Sequence, residues 1–334
     1  MTGGAAREAS PAPPETCFDL ALGKTMLNFL RRAATDPAPA GLTPDQIGSR
    51  LTVSFELFPP KTDKALPAFD ETVAALDAFG PSYFSVTYGA GGSTQDRTRG
   101  CVDRVRRMTG RPVAHHLTCV GASREEIDAL ARELWESGVR HIVALRGDPP
   151  DGSAYEPRPD GYAFAPDLVA GLRKVADFEI SVGAYPETHP QALSPESDMD
   201  NLKRKLDAGA TTAVTQYAFD TDGVLRFVDR ARAAGIDAPI VPGIMPVSNL
   251  KGLINFSAKC GATVPQWLID MFDGLDDEPE TRSMVAAAVA AEQCRRFAEA
   301  GLTEMHFYTL NKAEVTRATC RALGLRERDA ERAA

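Results

Sequence analysis

The sequence lacks an excess of positive charge, a long apolar run and a secretory leader, and each absence narrows the possible functions. Asp and Glu outnumber Lys and Arg by 46 to 37, for a formal net charge of -9. An acidic chain lacks the field that attracts phosphate backbones or anionic lipids, so we expect no nucleic-acid and no membrane partner. The apolar runs are shorter than the roughly 20 residues that cross a bilayer. Scattered cysteines without a leader favour a reduced, cytoplasmic protein.

Motifs for several common chemistries are also missing. The chain has no GxGxxG and no GxxxxGK[ST], so a nucleotide would be bound without a Rossmann or P-loop device. It has no HxH, HExxH or CxxC, and the adjacent His115 and His116 point to opposite faces of a strand, so we expect no metal site. The candidate strands contain no lysine for Schiff-base chemistry, and no GxSxG elbow occurs.

Short runs rich in β-branched and aromatic residues alternate with helical patterns from Leu51 onward. Eight runs are typical of strands, and they begin at Val53, Tyr83, Pro112, His141, Glu179, Thr212, Pro239 and Glu304. The gap before the last run is longer and predicts extra helices. The sequence therefore predicts an α/β fold: a (β/α)8 TIM barrel with extra helices between strands 7 and 8. A doubly wound open sheet is the alternative.

The chain divides into three parts by composition. Residues 1–50 are rich in Pro, Ala and Gly and predict an N-terminal extension that is partly disordered or packed on the barrel. Residues 51–326 form the predicted catalytic barrel, and residues 327–334 form a tail.

Strand alternation predicts a polar row facing the barrel lumen. This row contains Ser54, Glu56, Ser85, Thr87, His116, Arg146, Asp148 and Tyr185. Buried polar groups are costly unless they are paired, so the row indicates a ligand site near the carboxyl ends of the strands. An internal ion pair, for instance Glu56 with Arg146, is the alternative. Glu56 lies among apolar residues, which favours a protonated carboxyl suited to general acid catalysis.

Nine strings of the sequence, in order, resemble the methylenetetrahydrofolate reductase family. They are FELFPPK (55–61), SVTYGAGGSTQDRT (85–98), HLTC (116–119), RHIVALRGDPP (140–150), VGAYPETHP (182–190), NLKRKLDAGA (201–210), PGIMPVSN (242–249), MFDGLDD (271–277) and HFYTLN (306–311). Each string is a weak motif alone, but nine in the family order are specific.

The resemblance implies a barrel that binds FAD at the carboxyl ends of its strands. The positions that match family flavin contacts are Thr87, His116, Arg146, Gly147, Asp148, Ala165, Tyr185, His189, Asp198, Asn201 and Lys205. Arg146 and Lys205 would face the pyrophosphate. Phe164 stands where a relative has Tyr next to the flavin phosphates, inside a longer loop over residues 149–166 that would contact the ADP part of FAD.

The resemblance also implies the reaction and its partners. NAD(P)H would reduce FAD and leave, and 5,10-methylenetetrahydrofolate would then bind at the same site and be reduced to 5-methyltetrahydrofolate, which feeds methionine synthesis. Glu56 matches the general acid, and Asp148 matches a carboxylate that stabilises the 5-iminium cation. Thr87, Gln216, Phe256 and Lys312 match substrate positions, with Lys312 where many relatives have Arg.

Two other functions remain open at this point. One is a flavin-independent reductase of the same folate, against which Asp198 and Lys205 argue. The other is an electron-relay flavoprotein subunit that depends on a partner chain, against which Glu56, Asp148 and Gln216 argue. We expect a homo-oligomer, while the sequence does not choose between NADH and NADPH.

Overall fold

The computed structural model describes residues 42–88, 95–149 and 151–328. Its strands are β1 (Thr52–Leu57), β2 (Phe84–Val86), β3 (Val113–Thr118), β4 (His141–Leu145), β5 (Glu179–Ala184), β6 (Thr212–Thr215), β7 (Ile240–Val241), β8 (Gly243–Ile244) and β9 (Glu304–Tyr308). Its helices are α1 (Pro44–Gly48), α2 (Leu66–Asp77), α3 (Gln95–Thr109), α4 (Arg124–Glu136), α5 (Ala165–Val175), α6 (Pro195–Asp207), α7 (Thr221–Ala233), α8 (Leu250–Cys260), α9 (Gln266–Phe272), α10 (Pro279–Glu299) and α11 (Ala313–Ala322).

The strands form one parallel sheet that closes at Pro242. The sheet order is β7-β6-β5-β4-β3-β2-β1-β9-β8, so its two end strands are neighbours in sequence. Pro242 separates them because proline has no N–H to donate to a ladder. Its carbonyl still accepts a hydrogen bond of 3.0 Å from the His306 backbone. The seventh predicted strand is thus two short pieces, and the (β/α)8 barrel is confirmed.

Helix α4 illustrates how the sequence sets the helical layer. The Ser123 hydroxyl accepts from the Glu126 backbone, and the Glu126 side chain accepts from the Ser123 backbone, which completes a capping box. Ile127, Ala131 and Leu134 are buried at helical spacing against the barrel. The chain leaves the helix through Gly138 at a φ of 90°, a conformation that favours glycine.

Three helices lie between β8 and β9, as the long gap in the sequence predicts. They are α8, α9 and α10. Their apolar faces form a second core with Tyr217 and Phe219, separate from the main core around the barrel. Helix α8 is thereby held beside the carboxyl end of β6, where it presents Phe256.

The two ends of the described chain contact each other. Ile47 of α1 is 2% exposed, and a Cβ on Gly324 would lie 2.1 Å from the Pro44 carbonyl oxygen. Arg328 donates its backbone N–H to the Ala78 carbonyl. Residues 1–41 and 329–334 lie outside the described residues, so the boundaries of the extension and tail stay predictions. No helix in the described part of the chain is long and apolar enough to cross a membrane.

Candidate active site

The polar residues within the strands lie in the lumen, and strand register brings residues from distant parts of the sequence to the same depth. Glu56 of β1 is paired in register with Ser85 of β2 and with Tyr308 of β9. Ser54, one step earlier on the same face, is paired with His306. The two faces of β3 also separate as predicted, because His116 reaches the lumen acid Glu56 whereas His115 lies against the ring of Tyr88.

Glu56 is a buried carboxyl between two imidazoles. It is 7% exposed, and its Oε2 lies 3.5 Å from His116 Nε2 and 3.9 Å from His306 Nε2. Burial lowers the pKa of His116 to about 4, so this imidazole is neutral near pH 7. Within the described residues these histidines are the basic groups within 4.0 Å of Glu56, and Arg146 pairs elsewhere. The alternative Glu56–Arg146 ion pair is therefore wrong.

Arg146 and Asp148 lie at the carboxyl end of β4, on the rim of the barrel. Arg146 Nη2 contacts Asp148 Oδ1 at 2.9 Å, and Arg146 Nη1 donates to the Gln191 side chain. The guanidinium also lies 4.7 Å from the centre of the Tyr155 ring. The Asp148 side chain is 84% exposed, so this carboxylate is open to solvent whereas Glu56 is buried.

Gly147 allows the sharp turn between these two charged residues. Its φ is 82°, which strains any side chain-bearing residue. A Cβ here would also lie 2.6 Å from Val120 and 2.8 Å from Thr118. The turn therefore requires glycine, and it leaves backbone rather than side chain at the rim.

A second polar group follows β5 and includes a buried cation. The Asp198 carboxylate accepts from the His189 backbone at 2.8 Å, and Tyr185 packs edge-on against the His189 ring at 4.6 Å. Burial raises the pKa of Tyr185 to about 12. Burial lowers the pKa of His189, and the nearby positive charge of Arg146 lowers it further. Lys205 is 5% exposed and donates to the Gly183 carbonyl at 2.5 Å. Burial lowers the Lys205 pKa to about 8.

The remaining flavin positions take local roles that the sequence indicates only in part. The Thr87 backbone donates to Leu57, and its carbonyl accepts from Thr98 Oγ1 at 3.0 Å. Ala165 is the first residue of α5, and the Asp167 side chain of the same first turn accepts from the Phe164 backbone at 2.9 Å. Asn201 lies on α6 and contacts Arg204.

The substrate positions lie on three different elements. Gln216 follows β6 and is half-buried, and its Oε1 accepts from the Tyr217 backbone at 3.0 Å. Phe256 on α8 is 43% exposed and stacks on Tyr217, with ring centres 6.2 Å apart. Phe256 therefore lies at the surface and not in the core. Lys312 is exposed at the start of α11, and its Nζ lies 3.4 Å from Ser248 Oγ.

Sequence reasoning missed three residues of the site. His306 is not among the site residues predicted from the sequence, although alternation along the last strand run places it on the same face as Tyr308. Gln191 and Tyr155 both contact Arg146, but they come from loops, where no periodicity reports side-chain direction. In the described part of the chain no cluster of three or more His, Cys, Asp or Glu side chains is arranged to hold a metal.

The fold and site together define a (β/α)8 barrel with a buried acid beneath a rim that carries buried and exposed cations. The family model described as methylenetetrahydrofolate reductase matches residues 45–324. The chain is 48% identical over 281 residues to the 5,10-methylenetetrahydrofolate reductase of Pectobacterium carotovorum, covering 84% of this chain and 93% of that one. It is 46% identical to the Escherichia coli protein of the same name, with the same coverage.

A solved structure supports the fold independently of sequence. It is an uncharacterised protein from Clostridium thermocellum that binds two copies of 5-methyl-5,6,7,8-tetrahydrofolic acid, and it aligns with a TM-score of 0.60 at 15% identity. The alignment covers 84% of this chain and 96% of that one. The chain belongs to the methylenetetrahydrofolate reductase family.

Proposed function

We propose that the protein reduces 5,10-methylenetetrahydrofolate to 5-methyltetrahydrofolate with electrons from NAD(P)H, using FAD in a ping-pong reaction. The observation that carries the proposal is the buried Glu56 carboxyl, held between two imidazoles beneath the rim, in a chain of this family. The reaction needs one proton donor at the folate, and a buried carboxyl at the carboxyl end of a barrel strand is suited to that task.

The residues of the rim fit a flavin dinucleotide. A pyrophosphate needs cationic donors, which Arg146 and Lys205 offer. Gly147 leaves room for close approach, and His116, Tyr185, His189, Asp198 and Asn201 border the same region by resemblance. FAD, when bound, supplies a hydride carrier that takes electrons from NAD(P)H and passes them to the folate methylene group.

Glu56 and Asp148 then have separate tasks at the folate. Glu56 donates its proton to the folate nitrogen that leaves the methylene carbon, which opens the imidazolidine ring to a 5-iminium cation. Asp148 places negative charge near that cation and stabilises it. Gln216 supplies amide hydrogen bonds, Phe256 packs on the flat ring of the ligand, and Lys312 attracts the carboxylates of the glutamate tail.

The wider setting follows from the product and the family. We propose that the product feeds methionine synthesis and that the protein works as a cytoplasmic homo-oligomer. Size measurement of the purified protein tests the oligomer directly.

Spectroscopy of the purified protein tests the proposed function. We expect a flavin absorbance spectrum that bleaches anaerobically with NADH or NADPH alone and returns when methylenetetrahydrofolate is added. A protein without flavin that still reduces the folate would favour the flavin-independent reductase. A flavin that is reduced only in the presence of another protein would favour the electron-relay subunit.

A further inference from the structure

The loop that follows β4 returns to the rim of the barrel through one aromatic ring. Residues 151–160 are exposed except for Tyr155, which is half-buried. The Tyr155 hydroxyl donates to the Ala163 carbonyl, and its ring centre lies 5.8 Å from that of Phe164, just before α5. A side-chain hydrogen bond also joins Tyr155 to Cys119, just after β3. Tyr155 therefore connects the loop to the carboxyl end of β3 and to the start of α5.

The Tyr155 ring also covers the guanidinium of Arg146. The central guanidinium carbon lies 4.7 Å from the centre of the ring, within the distance of about 6 Å that defines a cation–π contact. Burial raises the pKa of Tyr155 to about 12, so the phenol is neutral near pH 7. The ring therefore holds Arg146 without neutralising its charge.

The edge of the same guanidinium is held by three hydrogen bonds. Arg146 Nε donates to the Gly147 carbonyl at 3.0 Å, and Nη2 donates to Asp148 at 2.9 Å. Arg146 Nη1 donates to the side chain of Gln191, whose backbone donates to His189 Nδ1 at 3.1 Å. A guanidinium has five N–H groups. Within the described residues these contacts use three of them, so two are left to donate to a phosphate.

An arginine that is already fixed binds an anion more tightly than one that moves freely. A free arginine side chain loses conformational entropy when the anion binds, whereas a fixed side chain has lost that entropy on folding. Arg146 has a ring against its face and acceptors along its edge, and its side chain is only 19% exposed. Its surroundings therefore determine where its two remaining N–H groups point.

We propose that Tyr155 and Gln191 are positioning residues that fix Arg146 for the pyrophosphate of FAD. The inference rests on the proposed function, because it assumes that the rim binds a flavin dinucleotide. Neither residue has to touch the flavin, since each acts through the guanidinium. The loop over residues 151–164 then contributes to FAD affinity through the contact between Tyr155 and Arg146.

Tyr162 provides a matched contrast within the same loop. Its ring centre lies 5.7 Å from the guanidinium carbon of Arg124, and its hydroxyl donates to Asp128 at 2.8 Å. Both partners belong to α4, in the helical layer of the barrel. Tyr162 thus anchors the loop to a helix by the same kind of contact that joins Tyr155 to Arg146. Its substitution disturbs the loop without removing a partner of Arg146.

Fluorescence titration of the apoprotein with FAD tests the positioning role. Tyr155→Leu should weaken FAD binding about 5-fold, a loss in the range of one cation–π contact. Tyr155→Phe keeps the ring and should stay within about twofold of the wild type. Gln191→Leu, at an exposed position, should also weaken FAD binding about 5-fold, because it removes one acceptor from the guanidinium. Tyr162→Leu is the control and should bind FAD within about twofold of the wild type.

A double-mutant cycle separates positioning of the guanidinium from a general effect on the loop. Arg146→Met should weaken FAD binding about 50-fold, because it removes a charged donor. In that background Tyr155→Leu and Gln191→Leu should each change the affinity less than about twofold, since no guanidinium is left to hold. Losses of equal size in both backgrounds would overturn the proposal, and so would wild-type affinity in both single variants. Wild-type protein that binds no FAD would instead contradict the proposed function.

Discussion

The functional groups of the barrel fall into two regions, the lumen and the rim, that differ in their access to solvent. In the lumen, Glu56 is 7% exposed and faces imidazoles. On the rim, the Asp148 side chain is 84% exposed and pairs with Arg146. The lysines also differ in solvent exposure: Lys205 is 5% exposed, whereas Lys312 is exposed.

This difference assigns different chemistry to residues of the same type. A buried group is shielded from water and salt, so its interactions are strong and its proton is held by the protein. An exposed charge acts through a field that solvent and ions weaken. We therefore expect substitutions in the lumen to have larger and less salt-dependent effects than the matching substitutions on the rim.

The largest effect should come from Glu56→Gln, which removes the proton donor but keeps the shape. Folate reduction by the reduced enzyme should slow by about 10³-fold, within the usual contribution of general acid catalysis. Flavin reduction by NAD(P)H should stay near the wild-type rate, because that step needs no acid at the folate. Stopped-flow absorbance measures both half-reactions, with the exposed Glu133→Gln as control. Equal slowing of both half-reactions would show that Glu56 is structural.

The next largest effect should come from the buried cation Lys205. Lys205→Met should weaken FAD binding by about 10- to 100-fold, because a charged hydrogen bond contributes roughly 1.5–3 kcal/mol. Lys203→Met is the control on the same helix, since Lys203 is exposed and pairs with Asp207. Fluorescence titration of apoprotein with FAD measures both. Equal losses in the two variants would remove the distinction between buried and exposed cations.

The same lysine gives FAD binding a pH dependence. Its pKa in the free protein is lowered to about 8, so it is charged below that pH and loses its proton as the pH rises further. An anionic pyrophosphate favours the charged form, so wild-type affinity should be constant below about pH 8 and fall above it. Lys205→Met should lack this fall. A wild-type affinity that is flat from pH 7 to pH 10 would contradict the assignment.

Most of the fold, and the face of the strand on which a site residue lies, could be predicted from the sequence. All eight strand runs are present, and alternation correctly separated His115 from His116, because period 2 is a local property. The break at Pro242 and the role of His306 were missed. Depth in the lumen depends on the register between β1 and β9, which pairs Ser54 with His306 across most of the chain. No local pattern contains that information.

On the rim, Asp148→Asn should slow folate reduction by only about 10-fold. The exposed carboxylate stabilises the cation through a screened field, and neutral Asn keeps the hydrogen-bonding shape. The loss should shrink as ionic strength rises, whereas the Glu56→Gln loss should not. Asp151→Asn, in the same loop, is the control with the same change of charge. A salt-independent loss would place Asp148 with the lumen groups.

The smallest effect should come from Lys312→Arg, which keeps the charge and changes its geometry. Arg forms two parallel hydrogen bonds with a carboxylate, whereas Lys acts as a point charge. If Lys312 faces the glutamate tail, KM for methylenetetrahydrofolate should fall about threefold with kcat unchanged, and the gain should grow with a polyglutamate tail. Lys259→Arg on α8 is the control for charge elsewhere on the surface. A change in kcat would mean instead that Lys312 acts on the reacting end of the folate. Lys312 would then affect the chemical step, as we expect for the residues of the lumen.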